Sequence, residues 1–279
     1  MSAPGGIMAE GVLVQTMHLY SSLVFKPYAA GRAAGLIERT TEGAPPLHSD
    51  RAGLGPYFSR ISPKPVLLGH STPNDPLVSE FDRMGEIYDA YVRPFSTPIM
   101  DAAIKEISAW LRPDFRLLDA GCGAGRELCR FSQLVPEGEV VGIDLAAGMV
   151  NAAYRAARAK GFDNTSFYQS DVGDLPDVFT DRFDLVYSCL AHHHYPDPPK
   201  ATSEIFRALR PGGYYAVIDA GPEWFVERSS ALALWADPGW IGFHTPKEFM
   251  ALFSKAGFEN TGWIDLVPGF GIACGQKPL

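Results

Sequence analysis

Between Leu117 and Glu127 a short apolar run closes on an acid, three glycines follow at alternate positions, and a helix-like segment begins. The residues are Leu117-Leu118-Asp119-Ala120-Gly121-Cys122-Gly123-Ala124-Gly125-Arg126-Glu127. Glycine lets backbone approach a ligand where a Cβ would collide. A strand that runs through such a loop into a helix makes a nucleotide cradle. Arg126 and Glu127 follow the third glycine directly, so the spacing is not the G-x-G-x-x-G of a dinucleotide site. The acid also stands ahead of the glycines, inside the strand end.

Around this loop, strands and helices alternate. Strands are predicted over Arg116–Ala120, Glu139–Asp144, Thr165–Gln169, Phe183–Cys189 and Tyr214–Asp219, with helices near 125–134, 146–160 and 199–209. A helix over Thr245–Ala256 carries full end signals: Thr245 as cap, Pro246 first, Glu248 three residues on and Gly257 at the end. Glu259–Val267 and Phe270–Gly275 flank Pro268-Gly269 and read as a hairpin. The pattern predicts an α/β fold: a doubly wound, mostly parallel seven-stranded sheet with a terminal antiparallel hairpin.

Upstream, residues 1–76 are rich in Gly, Pro and Ser and are expected to form an N-terminal extension, a partly helical arm or lid. Its helices would span Val12–Phe25 and Tyr28–Arg39. Large apolar residues such as Leu19, Tyr20 and Phe25 favour packing, either on the main domain of residues 77–279 or on a second subunit as a homodimer. From Leu77 the spacing turns helical through Phe81, Met84, Ile87, Tyr88 and Tyr91. Pro94 is expected to end that helix, and Thr97-Pro98 to cap a second one carrying Ile99, Ala103, Ile104, Ile107 and Leu111.

Charge and cysteine usage narrow the function. A net charge of −8 disfavours nucleic acid, which needs a basic face. Cys122, Cys129, Cys189 and Cys274 have no C-x-x-C spacing, so neither a zinc site nor disulfides are expected, and a reducing cytoplasm fits. The apolar stretch at the N-terminus lacks a preceding basic region, which argues against a signal peptide. No 18-residue apolar window predicts a membrane span.

In a doubly wound sheet the ligand lies beyond the carboxyl ends of the strands. There the first strand delivers Asp119 and the loop of Gly121, Cys122 and Gly123. The second ends at Asp144, 23 residues after Gly121, where a carboxylate can accept both ribose hydroxyls. The third ends at Ser170-Asp171-Val172, where an acid can accept from an adenine amine. The fourth ends at Ser188, ahead of His192-His193-His194. A single ligand with an amino-acid end, a ribose and an adenine would use all of these, and S-adenosylmethionine is such a ligand.

On these residues the chain resembles the class I S-adenosylmethionine-dependent methyltransferases, in the small-molecule group that includes quinone and sterol methyltransferases. The resemblance covers about Val78 to Gly275. Its pieces are the glycine motif from Leu118 to Gly125, the acids Asp144 and Asp171, the fourth-strand motif Phe183-Asp184-Leu185-Val186-Tyr187-Ser188, the paired histidines His193-His194, and the turn Leu209-Arg210-Pro211-Gly212-Gly213. It implies that Leu145 and Met149 wall the adenine. The helix Phe81 to Asp89 matches the family's "F-D-x-x-x-x-x-Y-D" and implies that Tyr88 approaches the methionine end.

Three consecutive histidines point in different directions and rarely share a metal, so no metal is expected. His193 is the candidate general base, because imidazole titrates near neutrality. Cys122 and Cys189 flank the site and read as buried structural thiols. The stretch 221–244 is long for a connection and carries Trp224, Phe225, Trp235, Trp240 and Phe243. It is expected to wall an apolar acceptor pocket with Tyr91 and His194, or else to pack as an extra helix over Val226–Leu234. The expected activity is methyl transfer to a small, fairly apolar acceptor, on oxygen or carbon. The alternatives are a nicotinamide-dependent oxidoreductase and a non-catalytic S-adenosylmethionine-binding scaffold.

Overall fold

The structure, a computed structural model, describes residues 66–67, 81, 88–236 and 240–279. Most of the expected N-terminal extension, with both of its helices, lies outside them. The seven predicted strands form one sheet: β2 (Arg116–Ala120), β3 (Glu139–Asp144), β4 (Thr165–Gln169), β5 (Phe183–Cys189), β6 (Leu209–Ala220), β7 (Glu259–Val267) and β8 (Phe270–Gln276). An eighth, two-residue strand, β1 (Val66–Leu67), pairs in parallel with β4 at one edge. The order is β1-β4-β3-β2-β5-β6-β8-β7, parallel except for β8, which is antiparallel to both β6 and β7. Gly269 takes a positive φ of 84° at the β7–β8 turn, as the Pro268-Gly269 pair predicts.

Strands buried on both faces read as continuous apolar runs, and successive side chains go to opposite faces. Leu117, Val140 and Leu185 pack on one face against α1 (Tyr88–Ile107), α2 (Arg126–Leu134) and α3 (Ala147–Ala159). Their neighbours Leu118, Val141 and Val186 pack on the other against α4 (Pro198–Ala208) and α6 (Pro246–Ala256). The predicted capping box of α6 is complete: Glu248 N–H donates to Thr245 Oγ1 at 3.3 Å and Thr245 N–H to Glu248 Oε2 at 2.8 Å.

Two expectations need correction. Pro94 does not end a helix and Thr97 does not cap one, since α1 runs unbroken through Pro94 and Pro98. Each proline removes one helical N–H. Against that loss, Ile99, Met100, Ala103 and Ile107 are fully buried, and tertiary packing of one face supplies most helix stability. The Thr97 hydroxyl bonds back to the Arg93 carbonyl at 2.6 Å. The Arg126 guanidinium holds the helix from outside, donating to Ser96 Oγ at 2.9 Å and Thr97 Oγ1 at 2.8 Å.

Second, Leu209–Gly213 is not a turn ahead of a strand but a bulge within β6. Leu209 pairs with Phe183 and Tyr214 already pairs with Leu185, so the residues between them loop out, with Gly212 at φ 77°. In 221–244 the extra helix anticipated over Val226–Leu234 is present as α5 (Glu223–Ala236). Asp184 lies at the opposite edge from the glycine loop, where it binds Arg210 and accepts the Arg116 N–H at 2.7 Å. Among the described residues, no helix is long and apolar enough to cross a membrane.

Candidate active site

The glycine loop leaves β2 and folds back over β3. The N–H groups of Gly121 and Cys122 both donate to the Ile143 carbonyl, at 2.9 and 2.8 Å. Gly121 has φ +87°, and a Cβ there would sit 2.7 Å from Ala191 Cβ. Gly125 has φ +76°, and its Cβ would sit 2.6 Å from Ala153 Cβ. Backbone conformation and space both require glycine at these two places.

Asp144 ties this loop to the next. Its Oδ2 accepts the Gly123 N–H and its Oδ1 the Ala146 N–H, both at 2.9 Å. The carboxylate is thereby fixed in orientation at the end of β3. Asp171 is fixed in the same way by the Gly173 N–H, 2.7 Å from its Oδ1.

Asp119 differs from both. It is 1% exposed, and its Oδ1 makes no hydrogen bond among the described residues. Burial pushes its pKa well above the usual carboxylate value; Glu127 and Asp144 push the same way, and the Tyr187 hydroxyl opposes them. An unsatisfied buried oxygen of this kind is costly unless a ligand completes it.

These groups surround a cavity of about 340 Å³, the size of a small-ligand site. Of the predicted residues, Asp119, Gly121, Cys122, Gly123, Asp144, Leu145, Met149, Asp171, Val172 and His194 line it, together with Phe81, Ser96 and Met100. Ser188 does not line it. Its side chain is fully buried and shares a 3.0 Å hydrogen bond with the Tyr195 hydroxyl. Tyr195, unforeseen from sequence, occupies the wall there and donates to the Ala120 carbonyl at 2.7 Å. Tyr88 and Tyr91 lie in the first turn of α1, and Trp235 near the end of α5; their side chains lie outside the described set. Trp224 is 48% exposed and packs edge-on against Phe225, away from the cavity. Trp240 packs edge-on against Phe243 and also does not line the cavity.

The three histidines form one 3₁₀ turn and diverge. His192 is buried against Tyr195, His244 and Phe249, with neither ring nitrogen hydrogen-bonded among the described residues. Burial, reinforced by His244, lowers its pKa to about 3, so it is neutral at any working pH. His194 faces the cavity and meets Phe81 edge-on, with ring centres 5.3 Å apart.

His193 turns instead to Asp219 at the end of β6. Its Nδ1 lies 2.9 Å from both carboxylate oxygens, and its backbone N–H is 3.2 Å from Oδ2. Burial alone would push the Asp219 carboxyl up, but the His193 imidazole outweighs it and leaves the pKa below the usual value. The His193 carbonyl accepts the Ile241 N–H at 2.8 Å, which ties the linker after α5 to the histidine turn. Phe243 stands edge-on to the His193 ring at 5.2 Å.

Sequence reasoning missed Asp219. The signal was present, since Asp219 closes an apolar strand at the same sheet edge as Asp119 and Asp144. Thiol chemistry finds no support: burial pushes the pKa of both Cys122 and Cys189 well up, so neither is a ready thiolate. Among the described residues, no group of three or more His, Cys, Asp or Glu side chains could hold a metal ion.

The site fits S-adenosylmethionine on its own features. The unpaired Asp119 oxygen suits an ammonium, the loop requires glycine at 121 and 125, Asp144 is a fixed carboxylate at the neighbouring strand end, and Leu145 and Met149 give an apolar wall.

Comparison with known proteins agrees. A family model described as a methyltransferase domain matches residues 111–257. The uncharacterized methyltransferase YcgJ of Bacillus subtilis is 34% identical over 153 residues, which is 53% of this chain and 58% of that protein. Its crystal structure superposes with a TM-score of 0.52, over 60% of this chain and 70% of the other. A demethylmenaquinone methyltransferase from Symbiobacterium thermophilum is 27% identical over 220 residues, 68% of this chain and 87% of the relative. The DhpI complex with S-adenosylhomocysteine shares the fold, with a TM-score of 0.57, 22% identity and coverage of 72% and 95%. With the glycine loop, the acidic strand ends and the sheet order all in agreement, the chain belongs to the class I S-adenosylmethionine-dependent methyltransferases.

Proposed function

We propose that the chain transfers a methyl group from S-adenosylmethionine to a small, fairly apolar organic acceptor. One observation carries the reading: a cavity whose donor groups suit the cofactor has, beside it, a wall of aromatic rings and histidines. On this reading Asp144 receives the ribose hydroxyls, Asp171 the adenine amine, and Asp119 with the glycine loop the amino-acid end. Leu145, Met149 and Val172 pack on the adenine, and Tyr88 covers the methionine end. The acceptor sits towards His194, Phe243 and Trp240, with the helix at Tyr91 closing over it. A chain 27% identical to a demethylmenaquinone methyltransferase over most of that protein's length supports a small-molecule acceptor.

S-adenosylmethionine supplies a methyl carbon already made electrophilic by its sulfonium. The protein's own work is to hold the acceptor in line, about 3 Å from that carbon, and to exclude water. On this reading His193, beside the cavity, takes any proton the acceptor releases.

Calorimetry with S-adenosylhomocysteine tests the donor half, with micromolar binding expected. Transfer of labelled methyl to extracted organic acceptors tests the rest. Binding of NAD in place of S-adenosylhomocysteine would overturn the reading and favour the oxidoreductase.

A further inference from the structure

Resting on the function proposed above, and going beyond the contact of Asp119 with the amino-acid end, we infer that Asp119 and Glu127 act as one acid pair. The pair keeps a proton while the site is empty and releases it to solvent when the cofactor's ammonium enters. Binding is therefore proton-coupled, and the site selects against adenosyl compounds that lack an ammonium. Asp119 carries the proton, and Glu127 is the positioning residue that keeps it there.

Three carboxylates line the cavity around the glycine loop: Asp119 in β2, Glu127 in the first turn of α2 and Asp144 at the end of β3. They are not equivalent. Asp144 accepts two backbone N–H groups, from Gly123 and Ala146. Glu127 keeps some contact with solvent and lies 3.6 Å from Arg126 Nη1. Each of these two has a donor or a cation that suits a negative charge. The Oδ1 of Asp119 is buried and has no hydrogen-bond partner among the described residues. When three acids crowd one cavity, the one without solvent or donors is the one that keeps its proton.

The groups that face Asp119 from each side agree. Burial raises its pKa, the charges of Glu127 on α2 and Asp144 on β3 raise it further, and the Tyr187 hydroxyl on β5 opposes them. Cys122 in the loop, Cys129 on α2, Cys189 at the end of β5 and Tyr195 beyond it also feel the Asp119 charge. Burial pushes all four up, so they stay neutral near pH 7. Arg126 is engaged by Glu127 and by the Ser96 and Thr97 hydroxyls of α1.

An ammonium reverses the balance. A cation brought to Asp119 favours the carboxylate where its acidic neighbours disfavour it. The O–H of Asp119 gives its proton to solvent, and the oxygen accepts an N–H of the ligand instead. No bond within the ligand forms or breaks. A ligand without the ammonium leaves the proton in place and meets a neutral carboxyl.

Calorimetry on the full chain at about pH 6, in buffers of different ionisation enthalpy, counts the protons. At that pH the ligand's α-amino group, with a pKa of about 8, is already charged and contributes none. S-adenosylhomocysteine should release more than about half a proton per site. 5′-Methylthioadenosine, which lacks the amino-acid end, should release almost none. The difference between the two ligands removes any contribution from His194, the imidazole of the cavity wall. Affinity for S-adenosylhomocysteine should rise by up to about tenfold per pH unit between about pH 5 and 7.

Asp119→Asn should abolish both the release and this pH dependence. Glu127→Gln should move the pH at which the release fades downward by about one unit. Equal release with both ligands, no release with S-adenosylhomocysteine, or release that survives Asp119→Asn overturns the inference. A profile unmoved by Glu127→Gln overturns the pair. The ligand comparison decides alone if Asp119→Asn does not fold, and the variant decides alone if 5′-methylthioadenosine does not bind. Failure of the unsubstituted chain to bind S-adenosylhomocysteine overturns the proposed function instead.

Discussion

The two ends of the site are built differently. At the glycine-loop end, between β2 and β4, two carboxylates are held by backbone, Asp144 by Gly123 and Ala146 and Asp171 by Gly173. At the histidine end, side chains hold one another: His193 by Asp219, and His192 by rings on every side. Backbone-held groups sit in fixed positions whatever the ligand, as a common donor requires. Side-chain-held groups can be exchanged without disturbing the sheet. On the proposed function, the contrast separates the part of the molecule that would recognise the shared donor from the part that would give it an individual acceptor.

Substitutions can sharpen or break this contrast. The largest effect belongs to Gly125→Ala, which places a Cβ 2.6 Å from Ala153 Cβ and 2.8 Å from its Cα at φ +76°. Strain and overpacking together should cost about 3 kcal/mol of stability, read as a lower urea midpoint. An unchanged midpoint would mean that the donor end is looser than its geometry.

Next comes Asp144→Ala. Losing a charge-assisted pair worth about 1.5–3 kcal/mol should weaken S-adenosylhomocysteine binding about 10- to 150-fold in calorimetry. Equal affinity would remove Asp144 from the ribose site.

Asp119→Asn should pull in two directions. A carboxyl whose folded pKa is raised above its unfolded value loses stability for the fold as pH rises through the raised value. The amide removes that penalty, so the cofactor-free chain should melt higher at neutral pH. With the ligand ammonium losing its charge partner, binding should fall about tenfold. A lower melting temperature would contradict the burial argument.

The smallest expected change tests the separation itself. Trp240→Ala should leave S-adenosylhomocysteine affinity within about threefold while slowing turnover, because its ring packs on Phe243 beside His193. Affinity lost to the extent seen with Asp144→Ala would mean that the two ends are one.

Legibility followed the same division. That Gly121, Gly123, Asp119, Asp144 and Asp171 meet around one cavity was readable because their positions are local or follow from strand order. Asp219 was not read as a partner for His193 because nothing local links residues 26 apart. Ser188 was misplaced because Tyr195 fills the wall in its stead, a swap that only packing decides. Pro94 and Pro98 misled because their local cost is visible in sequence, whereas the burial of Ile99 and Met100 that outweighs it is not. The bulge at Arg210–Gly213 reads locally as a turn because the pairing of Leu209 with Phe183 is a long-range fact.

The central place of β2 has a cost measured in time. Leu117 pairs with Val140 on one side and with Leu185 on the other, 23 and 68 residues downstream. During synthesis at about 5–20 residues per second, the first edge can close in a few seconds, while the second stays open for roughly 3–14 seconds. For that interval the nascent chain presents an apolar, unpaired parallel edge, the kind of long-range contact that makes folding slow and aggregation-prone. The strand that founds the site is the last of the early strands to be secured.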